Sequence, residues 1–283
     1  MITRLLTRIA LLPALVALTA AGCTTGDGRE WTFASSSGPV PADPAGESVE
    51  TLVALGDYTL QRGDPLSAIA LYRRAHQAQP DAITPLTRLG AALARVGSYD
   101  DAAGAYRAAL ELEPLNADAQ RGLGNALVAA GHPAEALPHL ETALSLGNDQ
   151  RAYNSIGVAL DMLGRHGDAQ FYYRQGLALT EEDIDLRSNL ALSLSLSGQE
   201  QEAIALARRV ASSPNAGLRH RQNLALVLAM AGRMDDAEQV ARRDFGEDAV
   251  RRNMQYFARL NAIADTGERA TAIGGAGGAA VRP

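Results

Sequence analysis

Gly56, Gly90, Gly124 and Gly157, then Ala191 and Ala225, stand at spacings of 34, 34, 33, 34 and 34 residues. Seven residues after each comes a second glycine: Gly63, Gly97, Gly131, Gly164, Gly198 and Gly232. Five residues further on there is always alanine: Ala68, Ala102, Ala136, Ala169, Ala203 and Ala237. A chain with three such columns stacks one supersecondary unit on the next instead of closing around a single core. The columns specify the unit as helix, turn at the second glycine, helix. The first small residue and the alanine are expected to face each other where the paired helices cross, and the turn glycine to take the left-handed conformation that ends a helix. Leu55, Leu89, Leu123, Ile156, Leu190 and Leu224 precede the small position. Tyr72, Tyr106 and Tyr173 follow the alanine by four residues, with Leu140 in that place in unit three. Pro80 and Pro114 stop the second helices of the first two units.

These columns resemble the tetratricopeptide repeat (TPR), and the resemblance implies an all-α solenoid. The array is expected over 49–251, with repeats near 49–82, 83–116, 117–149, 150–183, 184–217 and 218–251. Units five and six depart from the pattern, since Ala207 and Ala241 replace the large side chain and Pro214 comes one residue early. Val250, Met254 and Phe257 then fall on one helical stripe. It predicts a C-terminal capping helix over 247–264, covering the end that a solenoid otherwise leaves exposed. The segment 265–283 ends in a glycine-rich run and is expected to be disordered.

The chain of 283 residues is 47% hydrophobic and 20% charged, which excludes a mainly disordered polymer. All 26 basic residues are arginine, and the net charge is −6. That balance argues against nucleic acid as the main partner. The N-terminus reads as an address. Arg4 and Arg8 precede an apolar run too short to span a bilayer, as in a signal peptide over 1–22. Ala20-Ala21-Gly22-Cys23 resembles the lipobox of bacterial lipoproteins, with Ala20 in place of the usual leucine. The resemblance implies a covalent lipid on Cys23, the single cysteine of the chain. Several acyl chains would anchor firmly, each buried CH₂ being worth about 0.8 kcal/mol. Thr24 follows where an aspartate would retain such a protein in the inner membrane, so the periplasmic face of the outer membrane is the expected location. Cleavage also removes Arg4 and Arg8, moving the net charge to −8. Residues 23–48, rich in Thr, Gly, Ser and Pro, read as a flexible tether, interrupted by Trp31 and Phe33.

No catalytic constellation stands out, and the reading is of a protein that is not an enzyme, with no metal and no cofactor apart from the lipid. His76, His132, His139, His166 and His220 share no metal-ligand spacing, and His132 and His166 fall at turns, where solvated rings are expected. No phosphate loop, nucleophile elbow or zinc-helix motif occurs. A repeat array offers a groove lined by its first helices instead. In units four to six the inward positions are Arg151, Asn154, Ser155, Val158, Asp161 and Met162; Asp185, Ser188, Asn189, Leu192, Ser195 and Leu196; and Arg219, Gln222, Asn223, Leu226, Ala229 and Met230. Asn189 and Asn223 resemble the asparagine ladder with which some TPR proteins hold a peptide backbone, each amide offering a donor and an acceptor. Val158, Met162, Leu192, Leu196, Leu226 and Met230 form an apolar row beside them. With tight curvature that row is buried inside the solenoid instead. Units one to three are more polar on this face, with Arg88, Arg95, Asp118, Arg121 and Asn125, and read as solvated.

The last third carries a second resemblance. Arg221-Gln222-Asn223-Leu224-Ala225-Leu226, Ala231-Gly232-Arg233-Met234-Asp235-Asp236-Ala237-Glu238, Ala241-Arg242-Arg243-Asp244 and Asn253-Met254-Gln255-Tyr256 are similar to the TadD-type lipoproteins of tight-adherence (Flp) pilus systems. That resemblance implies an outer-membrane lipoprotein that helps assemble or localise the secretin channel, a role like that of a pilotin. A scaffold for peptidoglycan hydrolases or synthases, or an accessory of outer-membrane protein assembly, stay open as alternatives.

Overall fold

The structure, a computed structural model, describes residues 48–147 and 150–276. The signal segment, Cys23, Trp31 and Phe33 lie outside the described residues. Helices follow one another in pairs: α1 (Val49–Gln61) with α2 (Pro65–Ala78), α3 (Ile83–Arg95) with α4 (Tyr99–Leu112), and α5 (Ala117–Ala129) with α6 (Pro133–Leu146). The series continues with α7 (Gln150–Met162) and α8 (His166–Leu179), α9 (Ile184–Leu196) and α10 (Glu200–Ala211), and α11 (Leu218–Met230) and α12 (Met234–Ala241). Two further helices follow among the described residues, α13 (Glu247–Ala262) and α14 (Thr266–Ala276). Each first helix touches its pair mate and the first helix of the next repeat, so α1, α3, α5, α7, α9 and α11 form one face, and α13 packs on α11. The architecture is an α-solenoid of six helix–turn–helix repeats with a C-terminal capping helix.

The turns follow from the second glycine column. All six of its members hold positive φ, between 73° and 86°. That backbone lets the N–H of the next residue return to a carbonyl of the first helix, as from Ser98 to Leu93 at 3.0 Å and from Arg165 to Leu160 at 2.9 Å. Several helix starts are capped by a side chain: Asp64 accepts from the Ser67 N–H at 3.1 Å, Asn116 from Ala119 at 3.0 Å and Asp183 from Leu186 at 2.9 Å.

Within repeats one to four the first small column does a different job from the one expected of it. Its nearest neighbour is the large side chain of the second helix, not the alanine. A Cβ on Gly90 would come to 2.8 Å from the Tyr106 ring, and one on Gly124 to 2.5 Å from Leu140. Gly56 and Gly157 are overlain in the same way by Tyr72 and Tyr173. The missing side chain is therefore the seat of a buried ring, and the alanine column, fully buried throughout, sets the approach of the helices. The leucine column is buried from Leu89 to Leu224, but Leu55 is 42% exposed, because no described repeat precedes it.

The expectation of disorder from residue 265 onward is overturned over Thr266–Ala276, which forms α14. Asp265 accepts from the Glu268 N–H at 2.8 Å and starts the helix. Gly267 lets its backbone lie against the Met162 carbonyl and Gly164, and Ala270 is buried. Docking thus supplies what the local sequence lacks. α14 turns back along the array, against α7 and α9.

Candidate functional site

The face formed by α7, α9 and α11 is stitched by polar side chains one residue out of repeat register. Asn189 Nδ2 donates to Asn154 Oδ1 at 2.8 Å, and Asn223 Nδ2 donates to Ser188 Oγ at 2.8 Å. His220 completes the series: its Nδ1 accepts from the Gly217 N–H at 3.0 Å, which leaves Nε2 to donate to Asp185 at 3.1 Å. Asn189 and Asn223 thus each spend one amide N–H on holding neighbouring helices together. Asn189 is buried, whereas Asn154 and Asn223 are half-buried.

Beneath this face lies a buried polar cluster around Asp161. Its Oδ1 accepts from His166 Nδ1 and from the Ser193 hydroxyl, both at 2.7 Å, and its Oδ2 accepts from the Tyr173 hydroxyl at 3.0 Å. Burial, then the Asp161 charge, hold the Tyr173 phenol well above the ordinary tyrosine value. His166, expected to be solvated at its turn, is buried in this cluster, because the turn folds its ring under the first helix toward Asp161. The three residue types match a nucleophilic triad, but the connectivity does not. Ser193 donates to the carboxylate and not to the imidazole, and it is fully buried, so no base is aimed at an accessible hydroxyl. The cluster is structural: one carboxylate joins α7, α8 and α9.

Between the face and the C-terminal helices lies a cavity of about 510 Å³. Asn154, Val158, Met162, Asn189, Leu192, Leu196, Asn223 and Leu226 all line it, whereas Met230 does not. Val158, Met162 and Leu192 are half-buried, and Leu196 and Leu226 are buried. The opposite wall comes from residues that the repeat columns do not mark: Phe245, Tyr256, Phe257 and Ile273, with Asp244 held by a two-pronged pair to Arg221, both bonds at 2.8 Å. The signal for part of that wall was the apolar stripe of Val250, Met254 and Phe257; Ile273 had none. Burial raises the Tyr256 phenol to about 12, and its hydroxyl donates to the Ala272 carbonyl of α14 at 3.2 Å. Gln222 Nε2 is buried at the cavity without a hydrogen-bond partner among the described residues. On repeats one to three the corresponding face is wet, with Arg88, Arg95, Asp118 and Asn125 exposed. No group of three metal-ligating side chains occurs among the described residues.

The tetratricopeptide-repeat family profile matches residues 87–150 and 122–180. Uncharacterized protein y4yS of Sinorhizobium fredii is 42% identical over 99 residues, which are 35% of this chain and 54% of that protein. The chain thus spans about half the length of this curated relative. A tetratricopeptide repeat protein from Parabacteroides merdae superposes with a TM-score of 0.63 at 21% identity, over 80% of this chain and 90% of its own. PilW, described as a widely conserved type IV pilus biogenesis factor, gives 0.64 at 18% identity, over 73% and 96%. The pilF protein of Pseudomonas aeruginosa gives 0.58 at 20% identity, over 75% and 96%. At these identities the likeness is one of fold, and the fold is a TPR solenoid.

Proposed function

We propose that this protein is a non-catalytic scaffold, lipid-anchored through Cys23 to the periplasmic face of the outer membrane. In this reading it acts like a pilotin in assembling the secretin of a tight-adherence (Flp) pilus or a related secretion system. The observation that carries the reading is the apolar, polar-edged cavity on the inner face of repeats four to six, which suits a protein segment. The lipobox-like Ala20-Ala21-Gly22-Cys23 and the TadD-like C-terminal blocks support the location and the system. The solved pilus-biogenesis proteins of similar fold are compatible with it.

The test is the double substitution Val158→Asp with Leu192→Asp. Both positions line the cavity and are only half-buried, so the variant should keep its helix content and fractionate with the outer membrane. A charge against an apolar partner must be desolvated, and secretin multimers and surface pili should be lost. Normal multimers and pili from a folded double variant would refute the reading. A companion variant, Cys23→Ala, should keep the repeat fold and leave the membrane fraction.

A further inference from the structure

The geometry points to a more specific occupant for this face. An amphipathic helix of a protein partner, carrying a carboxylate at one end, docks on repeats four to six, and α14 is the intramolecular stand-in that it displaces. This deepens the scaffold reading and rests on it.

α14 already shows that the face accepts a helix. It lies against α7 and α9, with Ala270 buried and with Gly267 so close to α7 that an added Cβ would come to 3.0 Å from both the Met162 carbonyl and the Gly164 N–H. The fit is nevertheless incomplete. The cavity of about 510 Å³ remains between Ala270 and Ile273 and the apolar row. Another of about 420 Å³ runs along Gly267, Glu268 and Thr271 beside Met162. Apolar walls that face water gain when a side chain covers them, and a leucine or methionine covers more of the row than the Ala270 methyl does. A helix with a bulkier stripe fills this space better than the chain's own.

α14 is also inexpensive to remove. Its 11 residues include Gly267, Gly274 and Gly275. A helix of that length does not stand alone in water, and each glycine disfavours it further relative to alanine. Its polar clasps are few: Tyr256 to the Ala272 carbonyl, and Arg269 Nε to the Ile263 carbonyl at 3.1 Å. The partner's chemistry follows from donors that α14 leaves unused. Gln222 Nε2 has no partner, and Arg219 at the cavity is exposed and makes no ion pair among the described residues. Both donors favour a carboxylate.

The test uses the full-length chain and a fluorescein-labelled synthetic helix of Leu, Ala and Glu with leucines at i, i+3 and i+7. Two variants release the strap: Ala270→Glu with Ile273→Glu, which places charge against the row, and Gly267→Leu, which cannot approach the α7 backbone. Both should bind the probe about tenfold more tightly than the wild type, because the wild type spends most of its time self-occupied. Adding Val158→Asp with Leu192→Asp should cancel the gain, and replacing Glu by Lys in the probe should weaken binding. Equal affinity of the wild type and both strap variants overturns the proposal, as does a gain that survives the Asp pair. If the strap variants gain as stated while the Asp pair still assembles secretin in cells, the helix site stands and only the pilus reading falls.

Discussion

At Gly157 the absence of one methyl group makes room for a buried ring. A Cβ there would overlap Tyr173, which cannot swing away because its hydroxyl is tied to Asp161. Gly157→Ala should therefore cost about 1–3 kcal/mol through overpacking. Gly167→Ala, exposed on α8 with nothing within 4 Å, should be neutral or gain up to about 1 kcal/mol from helix propensity. The same melting shift, in sign and size, at both sites would mean that the ring is not the constraint. The same scale sets a pH response. Burial holds the His76 imidazole below the usual histidine value, and burial, with the Arg107 charge, does so at His139. The unfolded chain then takes up protons first. Stability is intact above the unfolded value of about pH 6.5 and is lost as pH falls from there through the depressed folded values. The melting temperature should drop between about pH 7.5 and about pH 5.5. The drop should shrink in His76→Leu with His139→Gln, and an unchanged drop would place the titration elsewhere.

At the scale of elements, α6 runs through Pro138, which has no N–H for the helix ladder and sits on the exposed side. Pro138→Ala should restore the bond toward the Ala134 carbonyl and stabilise the array by about 1–3 kcal/mol, measured as a rise in denaturant midpoint. A lower midpoint would show that the proline is accommodated without strain. The twelve repeat helices were legible because glycine, alanine and a large side chain recur at fixed offsets, and each offset has one geometric use. α14 was not, because Gly274 and Gly275 belong to the glycine-rich run that signals disorder, whereas the close approach that docks the helix comes from Gly267, upstream of that run. The site was legible on one side only. Periodicity marked Val158, Leu192 and Leu226 on the repeats, but Phe245, Tyr256 and Ile273 meet them only through the return of the chain. Nor does spacing reveal that Asn189 and Asn223 bond within the face, since the next helix comes within reach only after the solenoid has curved.

Across the whole molecule the two ends of the array differ in what covers them. Each repeat of a solenoid touches only its neighbours, so its stability is an intrinsic part plus two interfaces. Repeat one has a single interface among the described residues, and Leu55, Tyr58 and Leu66 remain exposed there. At the other end α13 packs on α11, Asn261 Nδ2 donates to the Ala229 carbonyl at 2.8 Å, and Arg221 clamps Asp244. The middle is tied further by Asp161, whose three bonds join α7, α8 and α9. Opening should therefore begin at α1 and α2 and reach α7 to α9 last. In native-state hydrogen exchange the α1 amides should exchange at least tenfold faster than those of α9, a difference of about 1.4 kcal/mol in opening free energy. Asp161→Ala should erase much of that gradient. It leaves the hydroxyl of Tyr173 and the N–H of His166 without an acceptor, at about 1–3 kcal/mol for each that stays buried, and leaves the Ser193 hydroxyl only the His166 carbonyl at 3.4 Å. The protection of α9 should then fall toward that of α1. Uniform exchange along the wild-type array would show that the molecule opens as one unit, and an α9 indifferent to Asp161→Ala would show that the cluster does not hold the middle together.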